Sequence, residues 1–531
     1  MIYYLRQPKP YAETHYTFRA VPISRYHRRR PEIIADAPRR VEPGHDLPIL
    51  IIVKDAHRYP ITLHAAQIQW VDSNLPPQEF PIEEHIDIPY WSKLLNIPTA
   101  TLPKKPLKLD VQIKIKHKHE EHIVCNHDYV GIPPSPLEVN ISDHPLPKLP
   151  GWLIGDLHVH TRYTDDQVEF GAPITATTHI AKAQGYDFFA ATDHSYNLDD
   201  SWDSYLKNDP SLPKYQACLN EINQWNQKHG SSFTIIPGEE VSVGNHRNRN
   251  IHLLALGAGD FIPGKGDSAE TWFHNHPDLT IKQVIDRLNG HRIAVAAHPD
   301  YLFPRLERFF LRRGSWEPPD FLNDGIIGIQ IIRGNHQIPF QQGTTLWVKM
   351  LLQGLRLSIT SGSDAHGDFN RSIIVKTPMV KLRQSPHPVF GEALTLIPSS
   401  NTMNTLNILS QIRKGRTGIT TGPAVSLLFR DHNGTGHLPG DHCPESTGNA
   451  IIQAASSPEF GTISNVAIWA GNPKLQAEEL VWIHKPTPST FQMEHEIPVE
   501  NIANWSYLRA EIQTSKNSKI GRALTGAIYL Q

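Results

Sequence analysis

The chain has 531 residues, and its 51 lysines and arginines nearly balance its 53 aspartates and glutamates, giving a formal net charge of −2. This balance offers no cationic surface of the kind that nucleic-acid binding requires. A hydrophobic content of 39% is typical of a globular protein, and the length predicts more than one domain. Three scattered cysteines exclude a disulfide framework and a zinc finger, which favours a reducing compartment.

The chain contains no run that approaches the roughly 18 apolar residues of a membrane-spanning helix. Residues 1–20 mix charged, aromatic and apolar side chains and have no apolar core of signal-peptide length. We therefore expect a cytoplasmic protein that does not associate with membranes.

Residues 1–149 are predicted to form an all-β, sandwich-like domain. Residues 47–53 are a dense apolar run, and residues 107–116 alternate apolar and polar side chains with a period of two. Such alternation is typical of an antiparallel strand with one buried face. Prolines between residues 133 and 150 predict a stiff linker. We interpret the domain as a lid or docking domain, with a carbohydrate- or protein-binding module as the alternative.

Residues 150–423 alternate helical patterns with short apolar runs. Helices are predicted at 174–184, 217–228, 281–288 and 344–353, the first ending at Gly185, and an apolar run follows each of them. Alternating helices and strands, with polar residues at the carboxyl ends of the strands, are the layout of an α/β barrel. Residues 424–531 are predicted to form a second β domain, because residues 466–469 and 507–512 alternate.

Side chains able to bind metal ions stand at the ends of the apolar runs in the central region. They are His158, His160, Asp165, His194, Glu240, His252, His298, Asp364 and His366. The alternation of a strand points His158 and His160 to the same side. Any single histidine among the 30 in the chain is more often structural or exposed. Five such clusters at the ends of successive predicted strands, however, predict a metal site.

Five motifs resemble those of the PHP (polymerase and histidinol phosphatase) superfamily. They are residues 155–161 with 163–165, Thr192 to His194, 238–242, Ala297 to Pro299, and 362–366. The resemblance covers roughly residues 150–420, and the motifs follow the family's order. Residues 412–417, which lead to 421–423, and residues 521–530 resemble the carbaryl hydrolase-like branch of that superfamily.

The resemblance implies an α/β fold, a distorted (β/α)7 TIM-like barrel, between N- and C-terminal all-β sandwich-like domains. It also implies two or three divalent ions. Position by position, the first ion would be held by His158, His160, Glu240 and Asp364. The second would be held by Glu240 as a bridge with His252 and His298, and the third by Asp165, His194 and His366.

Three further positions bear on this assignment of metal ligands. Glu240 is preferred because the family's carboxylate directly precedes a Val-Ser or Ile-Ser pair, and Glu239 stays the alternative. Asp193, next to His194, is expected to orient a ligand rather than to bind metal itself. Gln330 stands where relatives often have an acidic residue, which weakens any assignment of substrate contacts to that strand.

Imidazole and carboxylate ligands together suit zinc, manganese or iron, which lower the pKa of bound water towards neutrality and polarise an electrophile. Glu240 and Asp364 are the predicted catalytic residues. Asp364 would shuttle a proton, although a role solely as a ligand remains open. Arg162, Arg333 and Arg371 lie near motif residues and could hold an anionic oxygen of the substrate, with a surface or structural role as the alternative for each.

The sequence therefore predicts a metal-dependent hydrolase. A phosphoesterase comes first, because phosphate ester hydrolysis is the superfamily's commonest chemistry. A carboxylic ester or carbamate hydrolase is the alternative that the branch implies, and a non-catalytic binding protein is the third hypothesis. A nuclease would require a basic groove that the sequence lacks. The expected partner is a small-molecule ester, phosphorylated under the first hypothesis, and the oligomeric state stays open.

Overall fold

The computed structural model describes residues 30–530, except for 129–133, 166–170, 269–274, 289, 300–304, 333–336, 371–373, 377–380, 384–388, 401, 446, 501–503 and 518. The fold is mostly β, with 45% strand and 15% helix. No helix within the described ranges has both the length and the apolar character that crossing a bilayer demands.

The N-terminal part consists of two sheets. Its strands are β1 (Glu32–Asp36), β2 (Arg40–Val41), β3 (Leu47–Lys54), β4 (Ile61–Val71), β5 (Gln78–Ile86), β6 (Tyr90–Ile97), β7 (Pro106–His117), β8 (Glu120–Cys125) and β9 (Leu137–Ile141). One sheet has the order β1-β3-β6, and the other has the order β2-β9-β7-β4-β5 with β8 beside β7. Buried side chains from both sheets form one core, and β7 alternates between buried and more exposed residues. The predicted strands at 47–53 and 107–116 are confirmed.

The central part contains all the helices that the structure describes. Its elements are β10 (Trp152–His160), α1 (Ile174–Gln184), β11 (Phe188–Ala191), α2 (Ser195–Leu198), β12 (Asp200–Ser201), β13 (Ser204–Asn208), α3 (Pro213–His229), β14 (Thr234–Gly244), β15 (Asn250–Leu256), α4 (Ile281–Ile285), β16 (Ile293–Ala296), α5 (Arg305–Phe310), β17 (Ile326–Ile332), α6 (Gln337–Leu352), β18 (Ser358–Ser361), β19 (Ala365–His366), β20 (Ile374–Lys376), β21 (Lys381–Arg383), β22 (Leu394–Pro398), α7 (Thr405–Arg413) and β23 (Gly418–Thr420). A 3-10 turn spans Pro318–Leu322.

The four predicted helices are present, with different ends in three cases. The helix at 174–184 is confirmed, and Gly185 ends it in the left-handed conformation with a φ of 93°. Both α3 and α6 begin before the predicted 217–228 and 344–353, whereas α4 is shorter than the predicted 281–288.

The C-terminal part is again all β among its described residues. Its strands are β24 (Ala424–Asp431), β25 (Gly436–His437), β26 (His442–Cys443), β27 (Gly448–Ala455), β28 (Thr462–Asn472), β29 (Ala477–His484), β30 (Gln492–Val499), β31 (Tyr507–Lys516), β32 (Lys519–Thr525) and β33 (Ile528–Leu530). The order β25-β24-β27-β30 forms a separate sheet. The predicted strands at 466–469 and 507–512 are confirmed within β28 and β31.

One sheet joins the central and C-terminal parts. Its order is β18-β17-β16-β15-β14-β11-β10-β22-β23-β32-β31-β28-β29. The antiparallel pairing of β23 with β32 carries the hydrogen-bond ladder across the predicted domain boundary at 423. In addition, β19 pairs in parallel with β10, which brings the segment after β18 next to the strand that carries His158 and His160.

The prediction of a distorted (β/α)7 TIM-like barrel is wrong. Such a barrel alternates strands with helices, but here strand content exceeds helix content threefold and the strands extend into large multi-strand sheets. Within the central region, β15 is antiparallel to both β14 and β16, and β22 is antiparallel to β10. A short turn, rather than a crossover helix, joins β14 to β15. An apolar run indicates a buried strand without indicating its direction, and this is why the sequence pattern misled.

Candidate metal centre

The predicted metal ligands gather at one end of the central strands. His158 and His160 lie in β10. The others come from later strands or the residues just after them: His194 follows β11, Glu240 lies in β14, His252 lies in β15, His298 follows β16, Asp364 follows β18 and His366 lies in β19. The parallel pairs β10–β11 and β11–β14 align these positions, and the pairing of His160 with His366 joins the two ends of the run. We call these eight residues the candidate metal centre.

The carboxylate of Glu240 lies in the middle of this centre. Its Oε1 atom is 2.9 Å from Nδ1 of His252 and 3.0 Å from Nε2 of His298. Its Oε2 atom lies within 3.3 Å of one nitrogen each of His158, His160 and His194. Glu240 is 0% exposed. Five imidazoles therefore surround one fully buried carboxylate.

The donor atoms form three overlapping groups, in each of which all atoms lie within 4.8 Å of one another. The groups are His158, His160, Glu240 and Asp364; His194, Glu240 and His252; and His160, His194 and His366. The first group coincides with the ligand set expected for the first ion. In the second group His194 takes the place expected for His298, and in the third His160 takes the place expected for Asp165.

Asp165 faces a different partner. Its carboxylate forms an ion pair with the ammonium group of Lys54, which is the last residue of β3 and is almost fully buried. A second contact from the N-terminal part lies nearby, since Oδ2 of Asp36 accepts a hydrogen bond of 2.9 Å from the backbone nitrogen of Phe369. The N-terminal sheets therefore hold both the loop after β10 and the loop after β19.

Gln330 determines which nitrogen of His158 faces the centre. Its Oε1 atom accepts a hydrogen bond from the backbone nitrogen of His298, and its Nε2 atom donates to the carbonyl oxygen of Gly362. Oε1 is thus an acceptor, so Nδ1 of His158, 3.0 Å away, must carry the proton. The Nε2 lone pair of His158 is directed at the centre. Gln330 acts through this contact, a role that its departure from the family pattern did not suggest.

Asp193 orients His160 through a threonine. Its carboxylate accepts hydrogen bonds from the backbone nitrogens of Thr161 and Thr164 and from both of their hydroxyl groups. Since Thr164 donates its hydroxyl proton to Asp193, the 3.1 Å contact with Nδ1 of His160 requires the imidazole to donate. Nε2 of His160 then faces the centre. Asp193 contacts no donor of the centre directly, in keeping with the orienting role expected for it.

Asp267 is a residue of the site that the sequence analysis missed. Its Oδ2 atom lies 3.0 Å from Nε2 of His252, whose Nδ1 atom faces Glu240. Ser242 donates a hydrogen bond to the same carboxylate, and the buried guanidinium of Arg313 lies 3.2 Å from it. A carboxylate on the outer nitrogen of a metal-binding imidazole fixes its tautomer and its orientation. Asp267 follows no apolar run, so the strand-end pattern could not identify it.

Glu239, the alternative to Glu240, faces the opposite side of β14. Its carboxylate lies 2.6 Å from the guanidinium of Arg292 and accepts a hydrogen bond from the backbone nitrogen of Ile262. Neighbouring residues of a strand point to opposite faces. The structure therefore places Glu240, rather than Glu239, among the imidazoles.

Burial and charge oppose each other in the centre. Burial lowers the pKa of His160, but Asp364 and Glu240 raise it, for a net rise to about 10. Burial raises the pKa of Glu240, but the surrounding imidazoles, above all His252, hold it well below its usual range. Burial and the neighbouring His160 both lower the pKa of His366. The raised pKa of His160 and the lowered pKa of His366 give the centre imidazoles of both charge states around the Glu240 carboxylate, and a bound cation would displace protons from the imidazoles.

The surroundings of one buried oxygen atom bear on whether the donors fit a cation. Oε2 of Glu240 has three imidazole nitrogens within 3.3 Å but makes no hydrogen bond of acceptable geometry with the described residues. Nε2 of His194 is likewise buried without such a bond. Several donors that converge without hydrogen-bond geometry are what coordination to a shared ion requires. The donor set therefore fits divalent transition-metal ions.

The loop that carries Asp364 is tightly constrained. Asp364 has a φ of 59° and His298 a φ of 28°, both in the left-handed region that non-glycine residues rarely adopt. Asp156 accepts hydrogen bonds from the backbone nitrogens of His158 and Ser363, which tie this loop to β10. A Cβ atom on Gly362 would lie only 2.5 Å from the backbone nitrogen of His158. Close packing, rather than a flexible loop, positions these donors.

Of the three predicted substrate-binding arginines, Arg162 lies within the described residues, and its partners Glu221 and Tyr163 are not donors of the centre. Arg162 is 3.2 Å from the carboxylate of Glu221, and its side chain is 40% exposed. Its guanidinium also donates to the hydroxyl of Tyr163. Arg333 and Arg371 lie outside the described residues.

No protein-family model matches the sequence, and no curated protein does either. Solved structures with some likeness include three glycosidases. The β-glucuronidase of Parabacteroides merdae has 8% identity and a TM-score of 0.19 over 94% of this chain and 64% of that one. A calcium-binding mutant of β-glucuronidase 2 from Bacteroides uniformis has 10% identity and a TM-score of 0.17 over 94% and 60%. The β-D-mannosidase of Dictyoglomus thermophilum has 8% identity and a TM-score of 0.22 over 94% and 67%.

These TM-scores are too low to show a common fold, so the glycosidases carry no argument about this protein. The chain also spans only 60 to 67% of the length of the three enzymes. The resemblance to the PHP superfamily stays a prediction from the motifs.

We expect Glu240→Gln to lose more bound metal than Asp193→Asn. The first change removes the carboxylate that contacts five imidazoles, whereas the second alters only the support of Thr161 and Thr164. Loss of an orienting partner typically lowers metal affinity about 10 to 100-fold. Plasma mass spectrometry after dialysis measures the retained metal, with Glu239→Gln as the neighbouring comparison. Equal retention in Glu240→Gln and Asp193→Asn would contradict the central position of Glu240.

A second prediction concerns Gly362. The methyl group of Gly362→Ala would press on the backbone of His158, and overpacking of this kind lowers the free energy of unfolding by about 1–3 kcal/mol. Gly290→Ala is the matched control, because a Cβ atom there would meet nothing within 4 Å. Thermal unfolding and metal content should both fall in Gly362→Ala alone. Similar values in the two variants would show that the loop can adjust to the added methyl group.

Proposed function

We propose that this protein is a metal-dependent hydrolase that acts on a small-molecule ester, with phosphate esters as the first substrate class. One observation carries the proposal: the carboxylate of Glu240 is fully buried among five imidazoles and belongs to the same donor group as Asp364. A structural role alone does not account for so many ionisable groups, because burying charge is costly unless an ion or a partner compensates it.

The residues of the chain would hold two or three divalent ions of zinc, manganese or iron. Such ions, when bound, supply a water of lowered pKa and polarise the electrophile. Gln330 and Thr164 keep the Nε2 atoms of His158 and His160 directed inwards, and Asp267 does the same for Nδ1 of His252. The preorganised donors therefore need no rearrangement before the reaction.

Asp364 is our candidate for proton transfer. Its Oδ1 atom lies 3.1 Å from Nε2 of His160 and 3.2 Å from Nε2 of His158. A carboxylate at this distance from the donors can take the proton from the attacking water and return it to the leaving group. Burial excludes competing bulk water from this carboxylate.

The surroundings of Arg162 favour a second substrate class. A phosphate ester brings an anionic group that an arginine would hold, but Arg162 is paired with Glu221. A carboxylic ester or a carbamate is a neutral electrophile and needs no such arginine. Hydrolysis of these esters is therefore our second candidate function.

The deciding experiment is a panel of chromogenic phosphomonoesters, phosphodiesters, carboxylic esters and carbamates. The full chain, reconstituted separately with Mn²⁺ and Zn²⁺, should hydrolyse one class, lose the activity on chelation and regain it when the metal is returned. A preference for phosphate esters supports the first candidate, and a preference for the neutral esters supports the second. Hydrolysis that persists after complete removal of metal would overturn both.

We also expect the purified protein to carry two or three transition-metal ions per chain, because the centre contains three donor groups. These groups overlap, since Glu240, His160 and His194 each belong to two of them. Plasma mass spectrometry after mild dialysis gives the stoichiometry. Fewer than one ion per chain, with no gain on reconstitution, would exclude a multinuclear centre.

His298→Ala and His366→Ala should abolish turnover while the protein stays folded. Each change removes one donor of the centre, whereas stability is spread over the large buried cores of the sheets. The exposed His119 provides the control variant His119→Ala, which should keep full activity. Turnover and far-UV circular dichroism are measured on the same preparations. Full activity in either folded variant would mean that catalysis takes place elsewhere.

A further inference from the structure

A second group of metal-binding side chains lies in the C-terminal part of the chain. It consists of Asp431 at the end of β24, His437 in β25 and Cys443 in β26, and their donor atoms all lie within 4.8 Å of one another. Asp431 is 8% exposed, His437 9% and Cys443 0%. These strands carry none of the donors of the candidate metal centre.

The backbone directs the side chains of this group towards each other. Oδ1 of Asp431 accepts hydrogen bonds from the backbone nitrogens of Asn433 and Thr435, which turns Oδ2 towards Nε2 of His437 at 3.0 Å. The pairing of β24 with β25 fixes the backbone of His437, and the parallel pairing with Leu530 fixes that of Cys443, whose thiol contacts the carbonyl oxygen of Glu445 at 3.9 Å. All three positions are thus held by hydrogen-bonded strands and turns.

The distances suit a tetrahedral ion. Zinc bonds to nitrogen and oxygen are about 2.0–2.2 Å long, so two ligand atoms on one tetrahedral ion lie roughly 3.3–3.6 Å apart. The 3.0 Å between His437 and Asp431 requires only a small outward movement to admit the ion. A mixed sulfur, nitrogen and oxygen set is characteristic of zinc.

The alternative is a core cysteine beside a structural His–Asp hydrogen bond. The other cysteines provide a comparison, because neither Cys125 nor Cys218 belongs to such a donor group within the described ranges. Cys443 is the one cysteine of the described residues that forms such a group with a carboxylate and an imidazole.

We propose that Asp431, His437 and Cys443 bind one thiophilic divalent cation such as Zn²⁺, in a second site that is independent of the proposed hydrolase activity. On binding, the thiol of Cys443 loses its proton to solvent and the thiolate, Oδ2 of Asp431 and a ring nitrogen of His437 coordinate the ion. The ion joins the β24–β25 hairpin to β26 and, through β33, to the last strands of the chain.

Cobalt tests this site without interference from the candidate metal centre. Co²⁺ bound to a thiolate gives an intense charge-transfer absorption in the near ultraviolet, and no donor of the candidate metal centre contains sulfur. The full chain, reduced and freed of metal, is titrated with Co²⁺ while the absorption is recorded. We expect the wild type to develop the absorption of one thiolate-bound Co²⁺ per chain, in addition to the Co²⁺ that the candidate metal centre takes up, and we expect the band to persist in Glu240→Gln, whose substitution lies in the other centre.

Three variants decide the outcome, each checked by far-UV circular dichroism. Cys443→Ser and His437→Gln should lose the band or weaken Co²⁺ binding at least tenfold, whereas the control Cys125→Ser should retain it. If one of the two ligand variants fails to fold, the other still tests the site. Absence of the band in the folded wild type, its survival in Cys443→Ser, or its loss only in Cys125→Ser would overturn the proposal.

Discussion

The burial of one carboxylate among five imidazoles is the constraint on which the central part of this structure depends. Glu240 is fully buried, so the surrounding nitrogens must stabilise its charge, and each nitrogen must be held in position. Gln330, Thr164 and Asp267 provide that support from residues outside the donor set. A partly supported cluster would be less stable than an apolar core, which explains why the supporting contacts extend so far.

Much of the centre could be predicted from the sequence because the signal is local. An apolar run that ends in a polar residue places that residue at the end of a strand, whichever strands it pairs with and in whichever direction. His298 after β16 is an example. The preference for Glu240 over Glu239 rested on the motif resemblance, and the structure places the two side chains on opposite faces of β14. The fold class could not be predicted in this way. Strand direction depends on pairing between distant segments, and β15 shows the error: its apolar run is as predicted, but it is antiparallel to both neighbours.

The residues that the sequence missed share a physical reason. Asp267 contacts His252, from which it is separated by 15 positions in the sequence. Lys54, in another sheet, contacts Asp165, from which it is separated by 111 positions. No spacing rule connects such pairs, because a turn and a domain contact bring them together. Gln330 shows the reverse case: its position was noticed, but its function depends on three hydrogen-bond partners that only the folded chain assembles.

The continuous ladder from β18 to β29 also constrains how the protein is made. The edge of β23 is covered by β32, about a hundred positions later in the chain. During synthesis, the strands that carry the metal donors leave the ribosome well before the strand that completes their sheet. An uncovered strand edge is a template for pairing with other chains. The nascent protein therefore passes through a stage in which its central sheet is nearly complete but the edge of β23 is still uncovered.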